Sequence, residues 1–323
     1  TGAAAICCER FDEQSIPAVQ RNKKPARGPQ RNTRDLMARG FHALSQGRFD
    51  EASTCCKLVL SRRPEFAAAH FLVALIALAT SDRKTAMAAL SSVTAIDAGH
   101  AAAWAHLAKL LAEGGQVNRA DVALHNAVKH EAGDIPAIHD VIGTTYTLLG
   151  EHRNADDWYR RAAEAQPDNP AFRINYANNL IYLGESRRAR EELSAALALA
   201  RGNAQAHWLM SGLERATDRS HLNEMEALLS QRALPHRAQA FVHYARGKEL
   251  EDLQDWGNAF SAFERGARAR RRTLQYDEAM EVATFAALSD LYTRQWLDSQ
   301  PPGCAADSPI FIIGQPRTGT TLV

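Results

Sequence analysis

The feature that most constrains this chain is a spacing of about 34 residues at which the same kinds of side chain return. Small residues recur with steps of 34, 34, 35, 34 and 70 residues, at Gly40, Ala74, Ala108, Gly143, Ala177 and Gly247. A second small row follows twelve residues later, at Ala52, Ala86, Ala120, Ala155, Ala189 and Ala259. A bulky row keeps the same steps, at Cys56, Leu90, Leu124, Tyr159, Leu193 and Phe263. Three rows with one period indicate a stack of repeated units.

Each unit is predicted to be a hairpin of two antiparallel helices. The first helix has its small residue at position eight and the second at position twenty, where the two backbones approach each other. We expect the bulky residue at position twenty-four to fill the gap against the next hairpin. Glycines at the predicted turn between the helices suit a left-handed C-terminal cap, and they are Gly47, Gly115, Gly150 and Gly184. Pro64 and Pro167 close two hairpins.

These residues resemble the tetratricopeptide repeat, most clearly at 104–124 and 143–167. The resemblance implies an all-α fold, a right-handed solenoid of stacked hairpins. We predict repeats within 33–273, at 33–66, 67–100, 101–134, 136–169, 170–203 and 240–273, with a degenerate hairpin at 204–239. Residues 1–32, rich in Arg, Lys and Pro, are predicted to form a disordered basic tail.

A solenoid of this kind usually holds a peptide or another domain in the groove lined by its first helices. Asn175 and Asn178 lie on consecutive turns of such a helix, where their amides could pair with the backbone of an extended peptide. The alternative is a solvent-facing Asn pair, because the equivalent positions in other repeats carry no Asn. His70, His139 and His207 fall at or beside position four of their helices, and we interpret them as packing residues rather than metal ligands.

Charge and cysteine content exclude several classes of protein. The formal net charge is +1, so no overall field attracts nucleic acid or an anionic membrane. The basic stretches at 14–34 and 265–272 are interpreted as a solvated tail and a polar helix face. Five cysteines without CxxC spacing predict a reducing, cytoplasmic location. The longest apolar run, 71–79, is about half the length of a membrane-spanning helix.

The composition changes after residue 297. An amphipathic connecting helix is predicted at 274–298, with Phe285, Leu288, Tyr292 and Trp296 at helical spacing, followed by a linker at 299–308. Residues 309–313 (PIFII) then have the composition of a buried strand. The segment Gly314 to Thr321 has the glycine spacing of a Walker A loop, with Thr320 in place of its Lys. This favours a nucleotide with a single 5′-phosphate that bears a transferable group.

The stretch PIFIIGQPRTGTTLV resembles the 5′-phosphosulfate loop of sulfotransferases, especially tyrosylprotein sulfotransferases and bacterial proteins that place tetratricopeptide repeats before the sulfotransferase domain. The resemblance implies that 309–323 begins a truncated α/β domain, with 3′-phosphoadenosine 5′-phosphosulfate as co-substrate and no metal. It also implies that Arg317, Thr318, Gly319, Thr320 and Thr321 bind the phosphosulfate, and that Arg317 stabilises the leaving oxygen.

Two functions follow as alternatives. The first is the N-terminal part of a sulfotransferase that acts on a hydroxyl acceptor, with the repeats presenting the acceptor, binding a protein or organising a homodimer. The second is a non-enzymatic repeat scaffold that binds peptides or proteins. Since the general base and the 3′-phosphate site of the family lie downstream of Val323, we expect the chain as given to be inactive alone.

Overall fold

The computed structural model describes residues 29–131, 133–230, 234–303 and 312–314, and every regular element in these ranges is a helix. The chain divides into two compact units, residues 1–270 and 271–323. The all-helical repeat architecture predicted from the sequence is therefore confirmed for the first unit.

Ten helices of the first unit form five successive antiparallel hairpins, and neighbouring hairpins pack on one another. Their bounds are α1 (Pro29–Ser45), α2 (Phe49–Leu60), α3 (Ala67–Ala79), α4 (Arg83–Ile96), α5 (Ala101–Glu113), α6 (Val117–His130), α7 (Pro136–Leu148), α8 (His152–Ala165), α9 (Pro170–Tyr182) and α10 (Ser186–Leu199). The first helix begins at Pro29, earlier than the predicted start of the repeats at 33. Proline suits a first helical turn because the backbone N–H that it lacks would have no partner there.

The turns inside the hairpins have the predicted left-handed glycines. Their φ angles are +70°, +71°, +80° and +78°, at Gly47, Gly115, Gly150 and Gly184. Two hairpins place a residue with a side chain at the same point of the turn, with φ of 62° at both Ser81 and Gln254. These two turns therefore have the left-handed backbone geometry of the other four, although they lack the glycine that adopts it most easily.

In two hairpins the small residue of the first helix faces the bulky residue at position twenty-four of the same hairpin, a contact that the sequence pattern did not predict. A methyl group added at Gly143 would lie 3.0 Å from the Tyr159 ring, and one added at Gly247 would lie 2.6 Å from the Phe263 ring. Both pairs join the first and second helix of one hairpin. Where the first helix has a buried alanine instead, as at Ala74, position twenty-four is a leucine. The larger ring needs the smaller partner because the helices are close together there.

The segment after α10 departs from the regular pattern. It contains α11 (Ala204–Leu213), α12 (Ser220–Leu229), α13 (His236–Asp252) and α14 (Trp256–Arg271). Helix α11 packs mainly against α13 rather than against α12, the next helix in the chain. The connection between α11 and α12 is held by α13, because Asp252 accepts a 2.9 Å hydrogen bond from the Ala216 backbone N–H and Lys248 donates to the Glu214 carbonyl.

The second unit contains α15 (Glu278–Leu291) and α16 (Arg294–Asp298), neither of which has a buried residue. The single connecting helix predicted at 274–298 is thus two helices. The break lies at Thr293, whose backbone is extended and whose hydroxyl accepts a 3.1 Å hydrogen bond from the Trp296 N–H. A Thr side chain that caps the second helix competes with continuation of the first. The four apolar residues at helical spacing are all exposed.

Among the described helices, none combines the length and the apolarity that crossing a bilayer requires. Cys55 and Cys56 are buried free thiols on α2, and burial raises the pKa of Cys56 to about 12. Such a thiol carries little thiolate and reacts slowly. Cys7, Cys8 and Cys304 lie outside the described residues.

Candidate functional site

In several repeats the side chain at position four of the first helix forms a hydrogen bond with the loop that precedes that helix. In four repeats a ring or guanidinium nitrogen at this position contacts the carbonyl oxygen six residues earlier. The pairs are His70–Pro64 at 2.7 Å, Trp104–Ala98 at 2.9 Å, Arg173–Pro167 at 2.8 Å and His207–Arg201 at 2.9 Å. Since a carbonyl oxygen can only accept, the nitrogen is the donor. His70 therefore has the structural role that its position predicted.

His139 occupies the same position but makes no such bond. Its preceding loop is one residue longer, as the 35-residue step indicates, and the ring is completely buried. Neither ring nitrogen has a hydrogen-bond partner in the described structure. Its Nε2 lies 3.5 Å from Glu131 Oε1 and 3.6 Å from Asp134 Oδ1, beyond hydrogen-bond length.

The first helices of three consecutive hairpins carry a line of polar side chains. The line consists of His106 and Lys109 on α5, Asp140 on α7, and Asn175 and Asn178 on α9, and all five are half-buried. Asn175 donates a 2.8 Å hydrogen bond to Asp140 Oδ1. We call this set of five residues the polar line.

Burial governs the electrostatics of the polar line. Loss of solvent raises the pKa of Asp140 to about 6, although the hydrogen bond from Asn175 and the charge of Lys109 act in the opposite direction. Burial, together with the charge of Lys109, lowers the pKa of His106 to about 4. At neutral pH the line therefore presents one ammonium group, one carboxylate and a neutral imidazole.

The two predicted peptide-binding residues differ in their surroundings. Asn175 is partly engaged, since its amide N–H bonds Asp140. Asn178 lies one turn further along α9, and no described residue is hydrogen-bonded to its side chain. Sequence reasoning identified both asparagines but missed Lys109 and Asp140, whose link to them depends on the packing of α5, α7 and α9.

The predicted phosphosulfate-binding residues Arg317, Thr318, Gly319, Thr320 and Thr321 lie outside the described residues. Of the strand predicted at 309–313, only Ile312 and Ile313 are described, and they are not in a strand. A single strand needs a neighbour for its backbone groups, and the described residues include no other strand.

Sequence reasoning missed a second cluster, which joins α11, α12 and α13. His207 Nδ1 lies 2.8 Å from His221 Nε2, and His221 Nδ1 lies 2.5 Å from Glu249 Oε1. One carboxylate oxygen of Glu224 and one ring nitrogen of each histidine lie within 4.8 Å of one another. Sequence spacing gives no signal for this cluster because the residues are 14 and 28 positions apart.

Models of the tetratricopeptide repeat match residues 77–143 and 137–169. The chain contains tetratricopeptide repeats. An uncharacterised protein of Aquifex aeolicus (strain VF5) is 26% identical over 171 residues, which are 52% of this chain and 22% of that protein. The chain thus spans about a fifth of the length of this relative.

Solved structures share the fold at low sequence identity. PilF of Pseudomonas aeruginosa is 16% identical with a TM-score of 0.51, over 73% of this chain and 97% of that one. The human IFIT1 dimer with PPP-AAAA is 15% identical with a TM-score of 0.60, over 81% of this chain and 65% of that one. A chain of the APC/C hetero-tetramer Cut9–Hcn1 is 16% identical with a TM-score of 0.54, over 72% of this chain and 46% of that one. At these identities the likeness establishes the fold alone.

Proposed function

We propose that this repeat protein is a scaffold that binds an extended segment of another protein along the polar line. The observation that carries the proposal is the half-buried Asn178, which lies one turn from Asn175 on α9 and whose amide has no hydrogen-bond partner among the described residues. An amide of this kind can donate to a backbone carbonyl and accept from a backbone N–H at the same time. It therefore suits an extended peptide of varied sequence.

Charge adds selectivity to this surface. Lys109 can receive a carboxylate of the bound segment, whereas the Asp140 carboxylate attracts a basic side chain once it ionises. Because its pKa is raised to about 6, this carboxylate is ionised at neutral pH and largely protonated below pH 5. We therefore expect a partner segment with both charge signs, whose binding weakens in mildly acidic solution.

The experiment uses the full chain and a random peptide library, so that the chain itself selects the segment that it binds. Twelve-residue peptides are selected from a random displayed library, and the enriched peptide is titrated calorimetrically against variants. Asn178→Ala should weaken binding by about tenfold, the cost of one to two lost hydrogen bonds. Asn126→Ala on α6 is the control, because the amide of Asn126 bonds its own helix at the Val122 carbonyl.

Two outcomes would contradict the scaffold proposal. One is that no peptide is enriched on the immobilised chain. The other is that the enriched peptide binds Asn178→Ala as tightly as it binds the unaltered chain, since the contact would then lie elsewhere.

The motif at 314–321 supports a second proposal, that the protein takes part in sulfuryl transfer from 3′-phosphoadenosine 5′-phosphosulfate to a hydroxyl, with the repeats presenting the acceptor. Its support is the sequence: glycine spacing, Arg317, and Thr320 in place of the Walker A lysine. Backbone N–H groups and an Arg fork suit a single 5′-phosphate that leaves when its sulfuryl group is transferred.

The second proposal is tested on the full-length gene product with radiolabelled phosphosulfate nucleotide and tyrosine-containing or carbohydrate acceptors. Arg317→Ala should slow transfer by about 10- to 100-fold, and Arg317→Lys should restore part of it because a point charge replaces the fork. Arg272→Ala, an exposed arginine outside the motif, is the control. Full activity of Arg317→Ala would show that the loop assignment is wrong.

A further inference from the structure

The cluster of His207, His221, Glu224 and Glu249 is the strongest unassigned feature of the first unit. His207 lies on α11, His221 and Glu224 on α12, and Glu249 on α13. The two imidazole nitrogens that face each other are 2.8 Å apart, while the ring centroids are 5.0 Å apart. The rings therefore meet edge to edge, with ring nitrogens pointing towards one another.

The outer nitrogens of both rings fix where their protons are. His207 Nε2 contacts the Arg201 carbonyl at 2.9 Å, and a carbonyl can only accept, so this nitrogen carries a proton. His221 Nδ1 contacts the Glu249 carboxyl group at 2.5 Å, and when Glu249 is ionised this nitrogen also carries a proton. In the neutral rings the two facing nitrogens are then both lone pairs. Two lone pairs at 2.8 Å repel unless a cation lies between them.

The buried Glu249 carboxylate beside the two histidines also favours a cation at this place. Glu249 is 4% exposed, and its second oxygen has no hydrogen-bond partner in the described structure. A buried carboxylate is costly unless positive charge compensates it.

We infer that His207 Nδ1, His221 Nε2 and the Glu224 carboxylate bind a divalent transition-metal ion of the zinc type. Two imidazoles and a carboxylate are a suitable ligand set for such an ion and leave a coordination position for water. The Arg201 carbonyl and Glu249 accept the outer N–H bonds of the ligands, which is how metal-bound histidines are usually oriented. Nitrogens bound to tetrahedral zinc lie about 3.3 Å apart, so the rings must separate by about half an ångström. They must also turn, so that both lone pairs point at an ion beside the line that joins the two nitrogens.

The position of the site indicates a structural role for the metal ion. It joins α11 to α12, two helices that pack little against each other and in which the small-residue rows of the regular repeats are lost. A metal ion held by both helices would lock the irregular segment in place. Metal binding would then stabilise the folded chain, because the ligands are not arranged in the unfolded one.

The test uses the full chain without a histidine tag, stripped of metal with a chelator. Titration with Zn²⁺ should give one site per chain with a dissociation constant in the micromolar range or tighter, and saturating Zn²⁺ should raise Tm by about 5 °C. Co²⁺ should produce visible absorption bands in the same range of concentration.

Variants separate this site from adventitious binding. His221→Gln should weaken Zn²⁺ binding by at least about 100-fold, and Glu249→Gln, which removes only an outer partner, by about 10- to 100-fold. Glu224 is exposed, so Glu224→Gln should keep the fold and still lose affinity. His125→Gln, an exposed histidine on α6, is the matched control and should bind Zn²⁺ unchanged. Absence of a site, or equal affinity in Glu224→Gln and the control, would overturn the assignment and favour a shared proton between the rings.

Discussion

In the five regular hairpins the helices meet through small residues, whereas in residues 204–252 α11 and α12 are linked by polar side chains. The regular region buries alanine completely at matching positions of successive repeats, as at Ala74, Ala108 and Ala177. The irregular region joins α11, α12 and α13 through the His207–His221–Glu249 chain. In addition, Lys248 and Asp252 of α13 bond the backbone of the connection between α11 and α12. Apolar packing without directional bonds can be repeated along a stack, while a hydrogen-bonded cluster is specific to one place.

The largest effect is expected from a truncation in the regular region. Leu193 is fully buried at position twenty-four of the fifth hairpin. Leu193→Ala should lower the free energy of unfolding by about 3 kcal/mol, through lost burial and the cavity left behind. Leu199→Ala in the same helix is the control, because Leu199 is 46% exposed. In urea unfolding, a loss below about 1 kcal/mol for Leu193→Ala would contradict apolar packing as the main source of stability there.

A second test concerns the match of small and bulky residues. Gly247→Ala places a methyl group 2.6 Å from the Phe263 ring and should cost about 1–2 kcal/mol net, since overpacking outweighs the gain in helix propensity. Adding Phe263→Leu recreates the Ala–Leu pairing of other repeats. The double variant should therefore be at least about 1 kcal/mol more stable than the sum of the single changes predicts. Strict additivity would show that the two residues do not determine each other's size.

The third test measures how the free energy of unfolding depends on pH. It isolates the contribution of Asp140, a polar residue inside the otherwise apolar regular region. The pKa of Asp140 is raised to about 6 by burial, so between pH 4 and pH 6 the folded chain keeps a proton that the unfolded chain has lost. Stability from this group therefore falls as pH rises through that window. Asp140→Asn keeps an oxygen that can accept from Asn175 but does not titrate.

Urea unfolding of both chains at several pH values measures the effect. From pH 4.5 to pH 7 the unaltered chain should lose about 1–2 kcal/mol relative to Asp140→Asn, a figure reduced for partial exposure and the nearby Lys109. A constant difference between the two chains would show that Asp140 is not desolvated.

The smallest effect is expected at the turns. Ser81→Gly should stabilise the chain by about 0.5 kcal/mol, because Ser81 has a φ of 62° that glycine adopts without strain. Gly150→Ala, at the equivalent turn with a φ of 80°, should destabilise it by about 1 kcal/mol. Thermal unfolding measures both. The same sign of change at both turns would contradict their shared geometry.

Sequence reasoning succeeded where the information is local and repeated. The 34-residue period predicted the paired helices, and the glycines at 47, 115, 150 and 184 predicted the left-handed turns. It was wrong about the single connecting helix. The four apolar residues at helical spacing predict one continuous helix, whereas Thr293 caps a second helix and ends the first. The roles of Arg317 and Thr318 to Thr321 stay predictions.

By itself the sequence determined the helical hairpins, their number in the regular region and the turns that close them. The 34-residue period marks each hairpin, and a glycine determines its turn through local backbone conformation. Only the tertiary structure decided that Gly143 receives the ring of Tyr159 from its own hairpin, and that Asn175 meets Asp140 across 35 residues. The edge-to-edge contact of His207 and His221 was decided in the same way. These contacts depend on the distance and rotation between packed helices, which no spacing along the chain encodes.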